Sequence, residues 1–164
     1  MDFTKELELG HPDLDEQHRE LNGLHALAAA AVRAGEAPAV RGSLGKLAEL
    51  TRRHFAFEER LMAEAAYPDR ESHAAGHAAF LKDLDLLEAH AAKAPCSPLV
   101  RLWLESRYAS WWLLHLRSHD ARLVSRLSAS ALLPGAGYFP RGGKPAGLAP
   151  RMTDRGRVGH HPGC

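Results

Sequence analysis

Residues 54–77, HFAFEERLMAEAAYPDRESHAAGH, decide how this chain is read. The stretch holds two pairs of metal-capable side chains at the same interval, His54 with Glu58 and His73 with His77. Residues four apart share one helix face about a turn from each other, so each pair can point at a single ion. Between the pairs, Ala65-Ala66-Tyr67-Pro68-Asp69 predicts the end of one helix and the start of another, because the residue before a proline resists helical geometry. The expected result is a tight helix hairpin with four donors near its closed end. Such pairs also occur by chance on solvated faces, so the reading depends on what the other helices bring to the same level.

Working outward, an N-terminal arm over residues 1–12 offers Phe3 and Leu7 for packing and breaks at Gly10-His11-Pro12. Asp13 followed by Glu16 has the form of a capping box and predicts the start of a first helix. Apolar positions then recur at Leu14, Leu21, Leu24, Ala28, Ala31 and Val32 until Gly35 stops it. Pro38 suits the opening of a second helix, whose stripe runs Leu47, Leu50, His54, Glu58, Leu61, Ala65. Gly42 and Gly45 soften its first turns, at about 1 kcal/mol each against alanine. A third helix opens after Asp69 and presents His73, His77, Phe80, Leu84 and Leu87 as a narrow seam. Ser97-Pro98 reads as a cap and first-turn proline for a fourth, carrying Leu102, Tyr108, Trp111, Trp112, His115, Leu116, Leu123 and Leu127. Four helices with short links predict an all-α, antiparallel up-down-up-down four-helix bundle over residues 1–133. Residues 134–164, rich in Gly, Pro and Arg, are expected to form a disordered tail.

Composition narrows the function classes. A chain of 164 residues with 45% hydrophobic and 25% charged content can bury one core. The formal net charge of +1 exerts no global pull toward nucleic acid or membrane. Past Leu133, Arg141, Lys144, Arg151, Arg155 and Arg157 stand against Asp154 alone, which leaves the body mildly acidic. Arg141-Gly142-Gly143 and Arg155-Gly156-Arg157 suggest an RNA-binding tail only weakly, since no aromatics are interleaved. Two cysteines, Cys96 and Cys164, make no disulfide framework. No run approaches the roughly 20 apolar residues of a membrane span, and the start lacks a signal-peptide core, so the expected location is cytoplasmic. Against this ordinary background, 11 histidines is a high count.

Antiparallel packing brings the donors together. His18 lies a turn into the first helix, His54 and Glu58 close the second, His73 and His77 open the third, and His115 with Asp120 sits in the far half of the fourth. All seven fall at one level, at the end where the first helix begins. A single inward histidine is more often a hydrogen-bonded core residue than a ligand. Seven ionisable groups gathered in one core without a cation would cost several kcal/mol for each buried carboxylate alone, roughly. Donor counting favours two ions. Five imidazole bonds, four from two bridging carboxylates and two from an oxo or hydroxo bridge fill eleven of the twelve positions of two six-coordinate ions. One position stays open. Imidazole and carboxylate donors without thiolate suit iron, although zinc, copper and manganese accept the same donors.

Here the pattern resembles the hemerythrin family: His18 in LDEQHREL, His54 and Glu58 in HFAFEE, His73 and His77 in HAAGH, His115 and Asp120 in HLRSHD. Gly10-His11, Met62, Tyr67-Pro68, Phe80-Leu81 and Trp111 agree with it, and the resemblance covers residues 3 to 130 or so. It implies two iron ions with an oxo or hydroxo bridge. One iron would take His73, His77 and His115, the other His18 and His54, with Glu58 and Asp120 bridging. It implies no enzyme but reversible binding of O2 or another small diatomic ligand, by a carrier, store or supplier of oxygen. A sensor of O2, NO or redox state, acting through a protein partner, is the alternative. Neutral imidazoles place less negative charge on the ions than four carboxylates would, which disfavours the oxidised states that split O–O. Leu21, Phe55, Trp111, Trp112 and Leu116 are the expected pocket walls, with plain core packing as their ordinary role.

Three positions fit less neatly. His115 and Asp120 are five apart, about 140° around an ideal helix, so either a π-like widening or a carboxylate reaching in from the flank is expected. His119, four after His115, is the rival ligand by spacing, and the family pattern favours Asp120. Trp112 stands where the family commonly has a smaller apolar residue, which puts the pocket rather than metal binding in question. His25 is expected to be hydrogen-bonded in the core, and His11 and His90 at the surface.

Overall fold

The computed structural model describes residues 8–131. Phe3, Leu7 and the tail past residue 133 lie outside that range. Four helices make up the described chain: α1 (Pro12–Ala34), α2 (Ala37–Glu64), α3 (Arg70–Lys93) and α4, residues 98–131. No strand occurs among the described residues. Helix α1 packs on α2 and α4, α2 on α3, and α3 on α4, which closes the up-down-up-down ring. No helix among the described residues is long and apolar enough to cross a membrane.

The start of α1 differs from the sequence expectation. Pro12 is its first-turn proline and His11 is the cap, with Nδ1 accepting from the Leu14 N–H at 3.5 Å. The Asp13–Glu16 capping box is not what begins the helix. Instead the buried Asp15 carboxylate accepts from the N–H groups of Leu9 at 2.7 Å and Gly10 at 3.0 Å, tying the preceding strip of chain to the helix. At the other end Gly35, at φ 72°, closes α1 in a left-handed conformation that glycine adopts without penalty. The N–H of Glu36 reaches the Ala31 carbonyl at 3.1 Å and that of Gly35 the Val32 carbonyl at 3.3 Å, so the last turn is satisfied.

The same motif recurs at the end of α2 with an alanine in the glycine position. Ala66 has φ 44°, Tyr67 N–H reaches the Met62 carbonyl at 2.9 Å, and Ala66 N–H the Ala63 carbonyl at 3.2 Å. Pro68 then prevents continuation, and α3 begins at Arg70. Across the α3–α4 link, Ser97 caps α4 by accepting from the Val100 N–H, and His90 Nε2 meets the Ser97 hydroxyl at 2.9 Å. His90 and His11 are therefore half-buried capping groups rather than free surface residues. Gly42 and Gly45 lie inside α2 without interrupting it.

Helix α4 is not regular. Two stretches, Trp103–Tyr108 and Leu116–Asp120, widen into π-helix. A π turn bonds i to i+5, so residues five apart come onto a common face. The second widening falls in the His115–Asp120 interval, where spacing demanded either it or a flanking approach. The first aligns Trp103 and Tyr108, and nothing in the sequence reading anticipated it.

The apolar interior divides into two bodies. The larger, from Leu21 and Val40 to Phe80, Tyr108 and Leu116, fills the upper bundle. The smaller joins Leu14, Leu61, Met62, Tyr67, Leu123, Val124 and Leu127 at the end where α1 begins. Each fully buried leucine or phenylalanine contributes about 1.5–3 kcal/mol. Between these two plugs the bundle is filled by polar side chains.

Candidate metal centre

That polar layer consists of His18 from α1, His54 and Glu58 from α2, His73 and His77 from α3, and His115 and Asp120 from α4. His115 is 3% exposed and the other six are 0% exposed. All seven side chains singled out from the sequence are thus brought together. They form two overlapping groups, Glu58 with His73, His77 and His115, and His18 with His54, Glu58 and Asp120, in which candidate donor atoms lie within 4.8 Å of one another. Glu58 belongs to both. Asp120 also spans the layer, its Oδ1 3.1 Å from His115 Nε2 and 3.3 Å from His73 Nε2, its Oδ2 3.8 Å from His18 Nε2.

The donor atoms face one another, and their outer partners show why. His77 Nδ1 lies 3.1 Å from the Glu59 carboxylate, which can only accept, so Nδ1 carries the proton and Nε2 presents a lone pair. His54 Nδ1 likewise donates to the Gln17 side-chain oxygen at 3.0 Å. Inward, the Nε2 atoms of His73 and His77 stand 3.1 and 3.0 Å from that of His115. Glu58 Oε2 lies 3.1 Å from His77 Nε2 and 3.6 Å from His73 Nε2. Yet both oxygens of Glu58, both of Asp120, and Nε2 of His54 are buried with no aligned hydrogen bond. A group of lone pairs converging on one volume repels unless a cation lies among them. The residues fit a metal centre on that ground. An acceptor on the far ring nitrogen is what fixes a ligating imidazole's tautomer and orientation.

Electrostatics agree with donors held ready. Burial, reinforced by the His18 ring, pushes His54 well below the usual histidine range. Burial also lowers His77, against the opposing hydrogen bond to Glu59. Both rings are therefore neutral near neutral pH, with a lone pair on the inner nitrogen. Burial and the Asp120 charge raise Glu58 to about 8. Burial pushes Asp120 up as well, but His115 and His73 outweigh it and hold this carboxyl well below the usual range. The two carboxylates thus stand far apart, one protonated and one ionised at pH 7, as adjacent like charges require in a site without metal.

Aromatic rings wall the layer. Phe55 lies flat on His77, with centroids 3.9 Å apart and planes 4° apart, and Trp111 stacks on His115 at 4.3 Å. Trp112 covers the other side, 5.7 Å from His18 and 5.5 Å from His54. Leu21 and Leu116 are fully buried in the upper core, and Trp111 is half-buried. His119 sits just outside, its ring 5.1 Å from both His73 and His115, while Asp120 takes the inward place. His25 hydrogen-bonds the Leu104 carbonyl at 2.7 Å, as expected, but from a half-buried position rather than within the core.

Gln17 and Glu59 are the functional neighbours that sequence reasoning missed. Each stands directly beside a donor, before His18 and after Glu58, and serves a histidine of a different helix. The need of each ligating imidazole for an outer acceptor was the signal available.

The family described as hemerythrin HHE cation binding domain matches residues 9–127, well over half of the chain. A protein named bacteriohemerythrin from Stenotrophomonas maltophilia (strain R551-3) is 29% identical over 131 residues, covering 77% of this chain and 81% of that one. No solved structure matches significantly.

Proposed function

Because the chain belongs to the hemerythrin family, we propose that this non-haem di-iron protein binds O2 reversibly, as a carrier, store or supplier of oxygen. One observation carries the reading: the carboxylate oxygens of Glu58 and Asp120 lie buried without hydrogen bonds between two sets of imidazole nitrogens. In this assignment His73, His77 and His115 would hold one iron and His18 and His54 the other, with Glu58 and Asp120 as carboxylate donors to both. The His18–His54 side would supply one imidazole fewer, and O2 would be taken up there. Bound iron supplies the electrons that make O2 binding possible and reversible.

The chain's own residues do the rest. Glu59 and Gln17 hold the His77 and His54 rings so that Nε2 faces inward. The apolar plug of Leu14, Met62, Leu123 and Leu127 and the larger core beyond Leu21 exclude water from both ends of the layer. A dry, closed site slows loss of an electron-rich guest by protonation, which is what separates binding from reaction. Five imidazoles, uncharged when they ligate, against two carboxylates would disfavour the more oxidised states an oxidase needs.

The test is anaerobic reduction followed by stepwise addition of air, watched by absorbance, with iron measured per chain. About two irons per chain and an oxygenation band that disappears on removal of O2 are expected from the donor count. Irreversible oxidation in air with tight NO binding would instead identify a sensor, and a chain that holds no iron would end the proposal.

A further inference from the structure

We propose that the indole N–H of Trp112 is a hydrogen-bond donor reserved for a small acceptor ligand, of the size of O2 or azide, on the His18–His54 side of the layer. The inference rests on the function proposed above and adds a residue that selects the ligand. Trp112 is 5% exposed, and its Nε1 is buried with no hydrogen-bond partner. Buried N–H groups are almost always paired, because an orphan loses its water without replacement. Phenylalanine would keep an aromatic ring here without an orphan, although with a smaller side chain, so the N–H is a cost that packing alone does not require.

The ring contacts place the indole on one side of the polar layer. The Trp112 ring meets His18 at 5.7 Å in a T-shaped contact, 81° between planes, and His54 at 5.5 Å and 58°. On its other flank Tyr108 stacks at 5.9 Å, 15° from parallel. The nearby His54 Nδ1 is committed to Gln17. The opposite half of the layer is walled differently, by the flat faces of Phe55 on His77 and Trp111 on His115. Thus the buried indole stands beside the half of the layer that carries two imidazoles, His18 and His54. A ligand bound there would bring an acceptor to the Trp112 N–H. Hydrogen bonding favours ligands with electron-rich terminal atoms over a purely apolar gas of the same size.

Azide is the probe. Iron-loaded wild type, Trp112→Phe and Trp112→Leu are titrated with azide by absorbance, and the same three proteins are unfolded in urea without metal. Removal of the donor weakens azide about tenfold in both variants. Metal-free Trp112→Phe should unfold at the same urea concentration as wild type or higher, since an orphan has been removed. Unchanged or tighter azide binding by Trp112→Phe overturns the inference, as does a metal-free Trp112→Phe less stable than wild type, which would make the ring a packing element. Wild type that takes up no iron defeats the proposed function. Wild type that binds iron and azide, with Trp112→Phe indistinguishable from it, defeats only the role of the indole.

Discussion

Glu58→Gln should make the metal-free protein more stable and the metal-loaded protein less so. In the metal-free chain Glu58 is 0% exposed, neither oxygen has a hydrogen bond, and its carboxyl is raised to about 8. At pH 7 the folded protein must therefore protonate a group that is ionised when unfolded. The distance from an ordinary glutamate near 4.5 to pH 7 corresponds to about 3 kcal/mol against folding. Glutamine keeps the shape and removes that cost, although its amide remains poorly paired, so a gain of about 2–3 kcal/mol is expected. The sign of the pH dependence follows from the raised value. Stability contributed by Glu58 is fully present below about 4.5 and is lost as pH rises through about 8. His54 and His77, both lowered, act oppositely, their stability being lost as pH falls below 6.5. The difference between wild type and variant isolates Glu58. Urea unfolding with chelator at pH 5, 7 and 8.5, chosen to bracket that window, should show the two proteins nearly equal at acid pH and diverging upward. With metal present the order should reverse, because the variant lacks a charged oxygen donor. A variant no more stable than wild type at pH 7 without metal would refute the argument.

Two further outcomes rest on single contacts. Glu59→Ala removes the acceptor of His77 Nδ1 while leaving every inner donor in place, and metal affinity should fall about 10–100-fold in a competition titration, with the helical circular dichroism unchanged. Ala66→Gly relieves an alanine at φ 44° in the α2–α3 turn and should raise the urea midpoint by an amount equivalent to about 1 kcal/mol; an unchanged midpoint would mean that the turn carries no strain.

Much of the bundle was legible before any coordinates. The stripes from Leu47 to Leu61 and from His73 to Leu87 carry their own periodicity, since helical side chains three and four apart share a face whatever surrounds them. Pro38, Pro68 and Pro98 act on their own backbone and place helix boundaries locally. The start of α1 was less legible. Asp13 with Glu16 read as the cap and Gly10-His11-Pro12 as a break, whereas the cap is set by which side chain reaches the free N–H groups, and that is His11. Asp15 was engaged by the chain at Leu9 and Gly10, a contact the spacing of the α1 acids does not reveal.

The sequence alone determined which groups could be ligands and that their helices deliver them to one level, because the intervals His54–Glu58 and His73–His77 and the order of four antiparallel segments are properties of the chain itself. Only the tertiary structure decided how those groups are aimed. The widening at Leu116–Asp120 rotates Asp120 inward past His119, Gln17 turns a histidine on α2, and Glu59 turns one on α3. Trp112, rather than the ring beside it, lies against His18 and His54. Each of these is settled by the packing of one helix against another. A residue's type and spacing fix its reach along its own helix, but the rotation and tautomer of its side chain are set by neighbours distant in sequence.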